Sequence, residues 1–382
     1  MSAGLLSALV WLLFIAALVG LIWWLYREPP HVTLHREMRG SGMVGLSQPL
    51  TVTAEIDTRL PTRVVLEDPP PRAVVPGRPV VFGGLWQGHG TEQLTLNLQP
   101  NRRGVYEWEG GMLRWADPLG LFWRSRPLEV PARLEAYPQT HGVLLPDLLR
   151  PLLSEGQMTR NLGLSDPISL RGARTYVPGD APGQIHWRLS ARSMSIPGGS
   201  AGLPMIRELE HTAASSVTIY LDAGGDATYL ESAVRLAASL AAQAWADGLP
   251  VSLGTSQGET PLGRTPEAQR AVLRALAELG RSEEGESPQL RPPRQGTNLL
   301  VLTQFAPPEL VAQAMRARAT ASRVAIIALP EGFYLEPGEK PRKQWAGAPD
   351  TVRQLEKQAG VLAERGVLVF VLRGNQSVLR LG

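Results

Sequence analysis

Residues 217–248 read VTIYLDAGGDATYLESAVRLAASLAAQAWADG, and this stretch decides the fold of the C-terminal half. Val217–Asp222 is a continuous apolar run that ends on a carboxylate. Leu230, Ala233, Val234, Ala237, Leu240, Ala241 and Ala244 then recur at helical spacing, and Gly248 can close the helix. The same strand–helix alternation continues downstream. Val251–Leu253 is a short strand. Thr265-Pro266 is an N-cap with Pro at the first helical position, opening a helix that runs to Gly280. Asn298–Thr303 is the next strand, Pro308–Arg318 a helix and Arg323–Leu329 a strand. Pro349–Arg365 is the last helix and Val367–Leu372 the last strand. Strands alternating with helices predict a doubly wound parallel-sheet α/β domain over 217–382, joined by right-handed crossovers.

Two stretches inside this domain read as loops without structure of their own, Arg281–Gly296 and Glu331–Pro349. The second holds the basic patch Lys340-Pro341-Arg342-Lys343 beside Trp345. Such a patch is a solvated loop or a contact for a partner or for anionic lipid.

Upstream, residues 31–136 carry a different pattern. Segments 50–56 and 92–98 alternate, as do the shorter 63–66 and 79–82. Pro69-Pro70-Pro71, Pro76-Gly77 and Gly83-Gly84 separate them. Short strands at regular spacing with turn signals between them predict a β-sandwich.

The first thirty residues read as a membrane anchor. Gly4 to Tyr26 carry no charge. As a helix these positions span roughly 35 Å, enough to cross a bilayer. Trp23, Trp24 and Tyr26 crowd one end, where an aromatic belt would sit. A cleaved signal peptide would have a basic start, a shorter apolar core and small residues before the cut. The flanking positive charges Arg27, Arg36 and Arg39 all follow the span, which places the bulk of the chain in the cytoplasm.

Composition bounds the chemistry. The 382 residues contain no cysteine, which excludes disulfides, Cys-ligated metal sites and a thiol nucleophile, and agrees with a reducing compartment. The 38 Lys+Arg against 35 Asp+Glu leave a net charge of +3, too small for a nucleic-acid-binding coat. There is no G-x-x-x-x-G-K-[ST] phosphate loop and no H-E-x-x-H. G-x-S-x-G occurs around Ser200 and Ser256. A nucleophile elbow needs a strand before the Ser and a helix straight after it, and neither position has both. A secreted or surface-exposed binding or adhesion module is the alternative to a membrane-anchored, cytoplasmic non-enzyme, and a serine hydrolase has less support.

Residues 137–216 form a connecting segment, and 171–192 within it read RGARTYVPGDAPGQIHWRLSAR. Pro178-Gly179-Asp180 is a turn signal. Arg174, Arg188 and Arg192 are placed to surround Asp180, and Tyr176 and Trp187 can stack on guanidinium planes. These residues make either a structural clasp or a recognition surface.

Arg174-x-Tyr176-x-Pro178-Gly179-Asp180, Ile185-x-Trp187 and Ser190-Ala191-Arg192 resemble the signature of the domain of unknown function 58 family. Arg103-Gly104-x-Tyr106, Asp117-Pro118-Leu119-Gly120-Leu121-Phe122, Tyr137-Pro138 and Arg207-Glu208 match its other strings in order, so the resemblance covers nearly the whole chain. Gly183 and His186 depart from it, standing where Arg and Asp are usual. The resemblance implies a membrane-anchored protein with a von Willebrand factor A-like domain. It also implies a MoxR-type AAA+ ATPase as partner, alongside other membrane or envelope proteins, with no catalytic residues. The partner-binding or clasp residues it carries over are Arg174, Tyr176, Pro178, Gly179, Asp180, Trp187, Ser190 and Arg192. Von Willebrand A domains hold a divalent cation through an Asp-x-Ser-x-Ser loop, a Thr and a second Asp. Here Asp222 and Thr303 stand at those places, while Gly224 replaces the first Ser, Asp226 replaces the second, and Gln304 stands where the second Asp belongs, so Asp222, Asp226 and Thr303 are the remaining candidate ligands. The expectation is a degenerate site with no cofactor, or at most a weakly held Mg²⁺ at Asp222.

Overall fold

A computed structural model describes residues 3–108, 110–142, 164–177, 185–194, 204–212, 216–282, 287–335, 339–340 and 349–375. The chain divides into two compact units, Met1–Gln139 and Thr140–Gly382.

The first unit begins with α1 (Ala3–Leu25), an uncharged helix long and apolar enough to cross a membrane. Nine strands follow: β1 (His31–Met38), β2 (Ser41–Met43), β3 (Gln48–Asp68), β4 (Val74–Val75), β5 (Val80–Pro100), β6 (Gly104–Trp108), β7 (Gly111–Ala116), β8 (Arg124–Leu128) and β9 (Ala132–Tyr137). One sheet has the order β4-β5-β3-β7-β8, with β1 also on β3, and a smaller sheet has the order β2-β9-β6. Alternate residues of β3 point inward, so Leu50, Val52, Ile56, Val64 and Leu66 share a core with Phe82, Leu98, Trp108 and Leu134. Residues from both sheets fill that core, as in a β-sandwich.

The strands are longer than the sequence pattern suggests. Segments 50–56 and 63–66 are two halves of β3, and 79–82 and 92–98 are two halves of β5. The two strands pair antiparallel along their length, with one register shift between Thr58 and Thr62. Gly83-Gly84 therefore lies inside β5 and is not a turn. Nearby Gly90 shows why small residues recur in this strand: a Cβ there would come within 2.5 Å of the Trp86 ring. Gly90 leaves room for an indole rather than marking a chain reversal.

One ion pair is sealed in this unit. Arg36 Nε and Nη2 donate to Asp68 Oδ2 and Oδ1 at 2.8 and 2.6 Å, and Nη1 donates to Val130 O. The two side chains are 2% and 1% exposed, and the guanidinium lies 5.9 Å from the Trp108 ring centroid. Arg36 is thus neutralised inside the fold, unlike the exposed Arg39.

In the second unit, β10 (Leu164–Thr175) pairs antiparallel with β11 (Met205–Thr212), and α2 (Trp187–Met194) lies between them in sequence. The large sheet is built from β12 (Ser216–Leu221), β13 (Val251–Thr255), β14 (Gly258–Glu259), β15 (Thr297–Thr303), β16 (Arg323–Ala328) and β17 (Val367–Val371). Its order is β14-β13-β12-β15-β16-β17, and all pairs are parallel except β13–β14. The helices are α3 (Ala227–Ala246), α4 (Pro266–Glu278), α5 (Pro308–Ala317) and α6 (Asp350–Glu364). Leu300, Leu302, Ala325 and Ile327 face α3 and α4, while Leu299, Val301, Val324 and Ile326 face α5 and α6. Burial on both faces explains the unbroken apolar runs of these strands.

Part of Arg281–Gly296 has fixed bonds. Gln289 N donates to Tyr220 Oη at 3.0 Å, Leu290 N to Gln313 Oε1 at 2.7 Å, and Gln313 Nε2 to Pro288 O at 2.8 Å. The loop is pinned to α5 by a side-chain amide, which polar composition alone does not reveal. Pro341, Arg342, Lys343 and Trp345 of the basic patch lie outside the described residues.

Candidate functional site

The chain passes from β12 to β13 on one side, and β15 flanks β12 on the other. α3 follows β12 onto one face of the sheet, and α5 follows β15 onto the opposite face. The strand order therefore reverses between β12 and β15. Their C-terminal ends are the topological switch point, the place where open α/β sheets bind ligands.

Asp222 and Thr303 sit at those ends. Asp222 N donates to Leu302 O at 3.0 Å, which extends the ladder by one residue and fixes the backbone. Thr303 Oγ1 donates to Asp222 Oδ2 at 2.7 Å and accepts from Ala306 N at 3.1 Å. Gly224 N donates to Asp222 Oδ1 at 3.1 Å. Asp226 is the N-cap of α3, its Oδ1 accepting from Tyr229 N at 2.7 Å.

Gln304 joins the two loops. Its Oε1 accepts from Asp226 N at 2.8 Å, and its Nε2 donates to Asp226 Oδ2 at 2.9 Å. Gln304 is buried, whereas Asp226 is exposed and Asp222 half-buried. Tyr229, fully buried, donates from Oη to Asp222 O at 2.8 Å. Burial, reinforced by the Asp222 charge and then by Tyr220, pushes the Tyr229 hydroxyl well above its ordinary value, so it stays a donor. Two glycines let these parts close up. A Cβ on Gly225 would fall 2.1 Å from the Tyr229 ring and 2.6 Å from Gln304 Oε1. Gly332, at φ +74°, would place one 3.1 Å from Asp226 Oδ1.

The donor set does not fit a hard divalent cation, which takes about six oxygens in an octahedral array. Gly224 offers no side chain. The Thr303 hydroxyl oxygen already accepts from Ala306 N, and the Gln304 amide directs N–H, not oxygen, at Asp226. Among the described residues no group of three or more His, Asp or Glu could hold a metal ion. The result is two carboxylates held in place by neutral donors.

The motif of the connecting segment is described in part. Pro178, Gly179 and Asp180 lie outside the described residues, as does Ser200. Tyr176 N donates to Pro204 O at 2.8 Å, and His186 N to Met205 O at 2.7 Å. Ser190 is buried. Its Oγ accepts from Met205 N at 2.8 Å and lies 3.0 Å from His186 O, so it ties α2 to β11. His186, where the resembled family has Asp, accepts from Leu189 N through Nδ1 at 3.2 Å, a cap-like contact at the start of α2. Arg174 Nη1 donates to Thr175 O at 3.2 Å. Trp187 is 69% exposed, and Arg188 and Arg192 are exposed too. Arg207 and Glu208 lie on β11, opposite Ala173 and Gly172.

Ser256 sits in the turn of the β13–β14 hairpin with no helix after it, and its Oγ lies 3.4 Å from Ser282 Oγ. The Asp117 string is a tight turn. Asp117, buried, accepts from Leu119 N at 3.0 Å and from Phe122 N at 2.8 Å, with Gly120 at φ +76°.

Sequence reasoning placed Asp222, Asp226 and Thr303 together. It missed the parts played by Tyr229 and Gly332, and it treated Gln304 only as a missing Asp. A signal was present in the Gly224-Gly225 pair, since two glycines before an N-cap announce close packing.

No family model matches the chain, and no curated protein matches it. Among solved structures, the chain is similar to a CARDB domain from Pyrococcus furiosus in complex with di-metal ions. That likeness has 12% identity and a TM-score of 0.18, covering 28% of this chain and 90% of that one. A PKD domain of an M14-like peptidase from a Thermoplasmatales archaeon aligns at 13% identity and TM-score 0.18, covering 29% and 98%. A β-glucosidase from Listeria innocua aligns at 11% identity and TM-score 0.15, covering 29% and 17%. At TM-scores of this size the likenesses carry no inference about this chain.

Proposed function

We propose that the protein is a single-pass, membrane-anchored adaptor without catalytic activity of its own. It works beside a MoxR-type AAA+ ATPase in the assembly or maturation of protein complexes or the cell envelope. The observation that carries this reading is the pair of oriented carboxylates at the C-terminal ends of β12 and β15. Asp222 and Asp226 are fixed there by Thr303, Gln304 and backbone N–H groups, with no cationic side chain bonded to them among the described residues. Preset carboxylates at a sheet's ligand edge suit a basic side chain from a partner. In this reading the site takes that partner instead of Mg²⁺.

The C-terminal sheet is read as von Willebrand factor A-like. Numbered within the sheet, its strands run 3-2-1-4-5-6 with the third antiparallel, and this order supports that reading. The segment around Ser190 is read as a clasp on β11, with exposed Trp187 and Arg192 as its recognition face. Arg27 and Arg39, both exposed, support a cytoplasmic bulk.

Affinity capture of the full-length chain from its native membranes, in mild detergent, tests the adaptor reading. The expected result is a MoxR-type ATPase in the eluate, and its consistent absence contradicts the proposal. The chain has no cysteine, so one engineered on the surface reports sidedness. It is expected to resist an impermeant maleimide in intact cells. Labelling there would favour a surface-exposed binding module.

A further inference from the structure

The end of α1 is bolted to the β unit. A helix leaves its last carbonyls without intrahelical partners, and here side chains answer one of them and the two carbonyls that follow the helix. Arg124 Nη2 donates to Trp23 O at 3.1 Å, and its Nη1 to Arg27 O at 3.3 Å. Trp115 Nε1 donates to Tyr26 O at 3.0 Å, while Tyr26 Oη donates to Pro61 O at 2.9 Å. The Arg124 guanidinium also lies 4.9 Å from the Trp23 ring centroid, where its charge complements the negative end of the helix dipole. The β unit is thereby held at a fixed place against the last turn of the apolar helix.

Trp115 and Arg124 bracket the turn of residues 117–123. That turn is rigid, because Asp117 accepts two of its backbone N–H groups and Arg63 Nε donates to Pro118 O at 3.3 Å. It nevertheless presents apolar side chains to solvent. Leu119 is 75% exposed, Leu121 56% and Trp123 42%. A stiff turn that buries its Asp and turns out two leucines and a tryptophan, beside the end of a membrane-length helix, has the composition of an interfacial wedge. Exposed Arg27, Arg59 and Arg63 accompany it. Arg59 lines a cavity of about 350 Å³ together with Tyr26, His31, Thr58 and Leu60, between the helix end and the β3 register shift.

We infer that the turn of residues 117–123 is a second membrane element, seated in the headgroup layer of an anionic phospholipid bilayer. It fixes the tilt of the β unit on the membrane that α1 spans. The inference rests on the membrane reading of α1, and the arginines supply charge complementarity to anionic lipid.

The test uses full-length chain in vesicles of phosphatidylcholine with phosphatidylglycerol. Single-cysteine variants Ile15→Cys, Leu121→Cys and Asn97→Cys each carry a bimane label, and lipids bear nitroxide quenchers near the headgroup or deep in the acyl chain. Asn97 is exposed and lies on β5, nine residues beyond Gly88, roughly 30 Å along the strand. Deep quenchers are expected to dim the Ile15 label, shallow quenchers the Leu121 label, and neither the Asn97 label. If the Ile15 label is quenched while the Leu121 label behaves like Asn97, the wedge is overturned and the span stands. If the Ile15 label is not quenched either, both the span and the wedge are overturned. Leu121 is exposed, so labelling there leaves the core intact, and circular dichroism of each variant checks this.

Discussion

Two carboxylate sites in this molecule are built on opposite logic. Asp68, in the β unit, is sealed from water and answered by a guanidinium through two parallel hydrogen bonds. Asp222 and Asp226, at the edge of the α/β sheet, are oriented as carefully but, among the described residues, only by neutral groups. The first charge is cancelled within the fold, so it can do nothing but hold the fold. The second pair has no cationic side chain bonded to it among the described residues, and Asp226 is exposed to solvent. A fixed, uncancelled charge is what a binding partner can use, and the contrast separates structural acids from candidate functional ones.

The largest expected effect comes from removing the charge at the sealed site. Asp68→Asn leaves Arg36 buried without its counter-charge and should destabilise the β unit by about 3–5 kcal/mol. Denaturant unfolding of the full chain, followed by Trp fluorescence, would show this as an early transition. The double variant Arg36→Met, Asp68→Leu should recover most of the loss, because an apolar pair of similar volume needs no desolvation. Failure of that rescue would mean that the pair does more than fill and neutralise the core.

Crowding the acidic edge comes next. Gly225→Ala drives a methyl into the Tyr229 ring and the Gln304 amide, at an expected cost of about 1–3 kcal/mol. Thr303→Val removes one donor to Asp222 and one acceptor for Ala306 N, for about 1–3 kcal/mol. Thermal melts of the two variants should both show a lowered second-unit transition.

Tyr229 gives a pH test with a defined sign. Its folded-state value is raised above the ordinary value of about 10, so the unfolded chain loses this proton first. The contribution is therefore complete below about pH 10 and is lost as pH rises towards the folded value. Tyr229→Phe should cost about 1 kcal/mol at neutral pH and flatten the decline in stability above pH 10. An unchanged decline would assign the alkaline slope to other groups.

The α/β sheet was legible in the sequence because its strands are buried on both faces. A run such as Asn298–Thr303 has few other uses, and the Thr265-Pro266 helix start needs no tertiary information. The β unit was legible in kind but not in strand length. Gly83-Gly84 looks like a turn but pairs with Val65 and Val64 inside the sheet, and Gly90 is small because the Trp86 ring lies against it. At the candidate site, the loop after β12 marked Asp222 and Asp226, and the end of β15 marked Thr303. The Gln304–Asp226 pairing was not legible. It joins positions 78 residues apart, and it depends on β15 lying beside β12.

The smallest expected stability change belongs to Asp222→Asn, and it carries the central claim. The amide oxygen can still accept from Gly224 N, and the amide N–H can turn to the Thr303 hydroxyl, so the shape survives. The cost should stay below about 1 kcal/mol, against the 3–5 expected at Asp68. Capture of the proposed MoxR-type ATPase partner by the full-length Asp222→Asn chain, normalised to folded protein and compared with the unsubstituted chain, is the direct measurement. Loss of most of the captured ATPase with a nearly unchanged melting temperature is the predicted result. Undiminished capture would contradict a recognition role for the carboxylates at this edge.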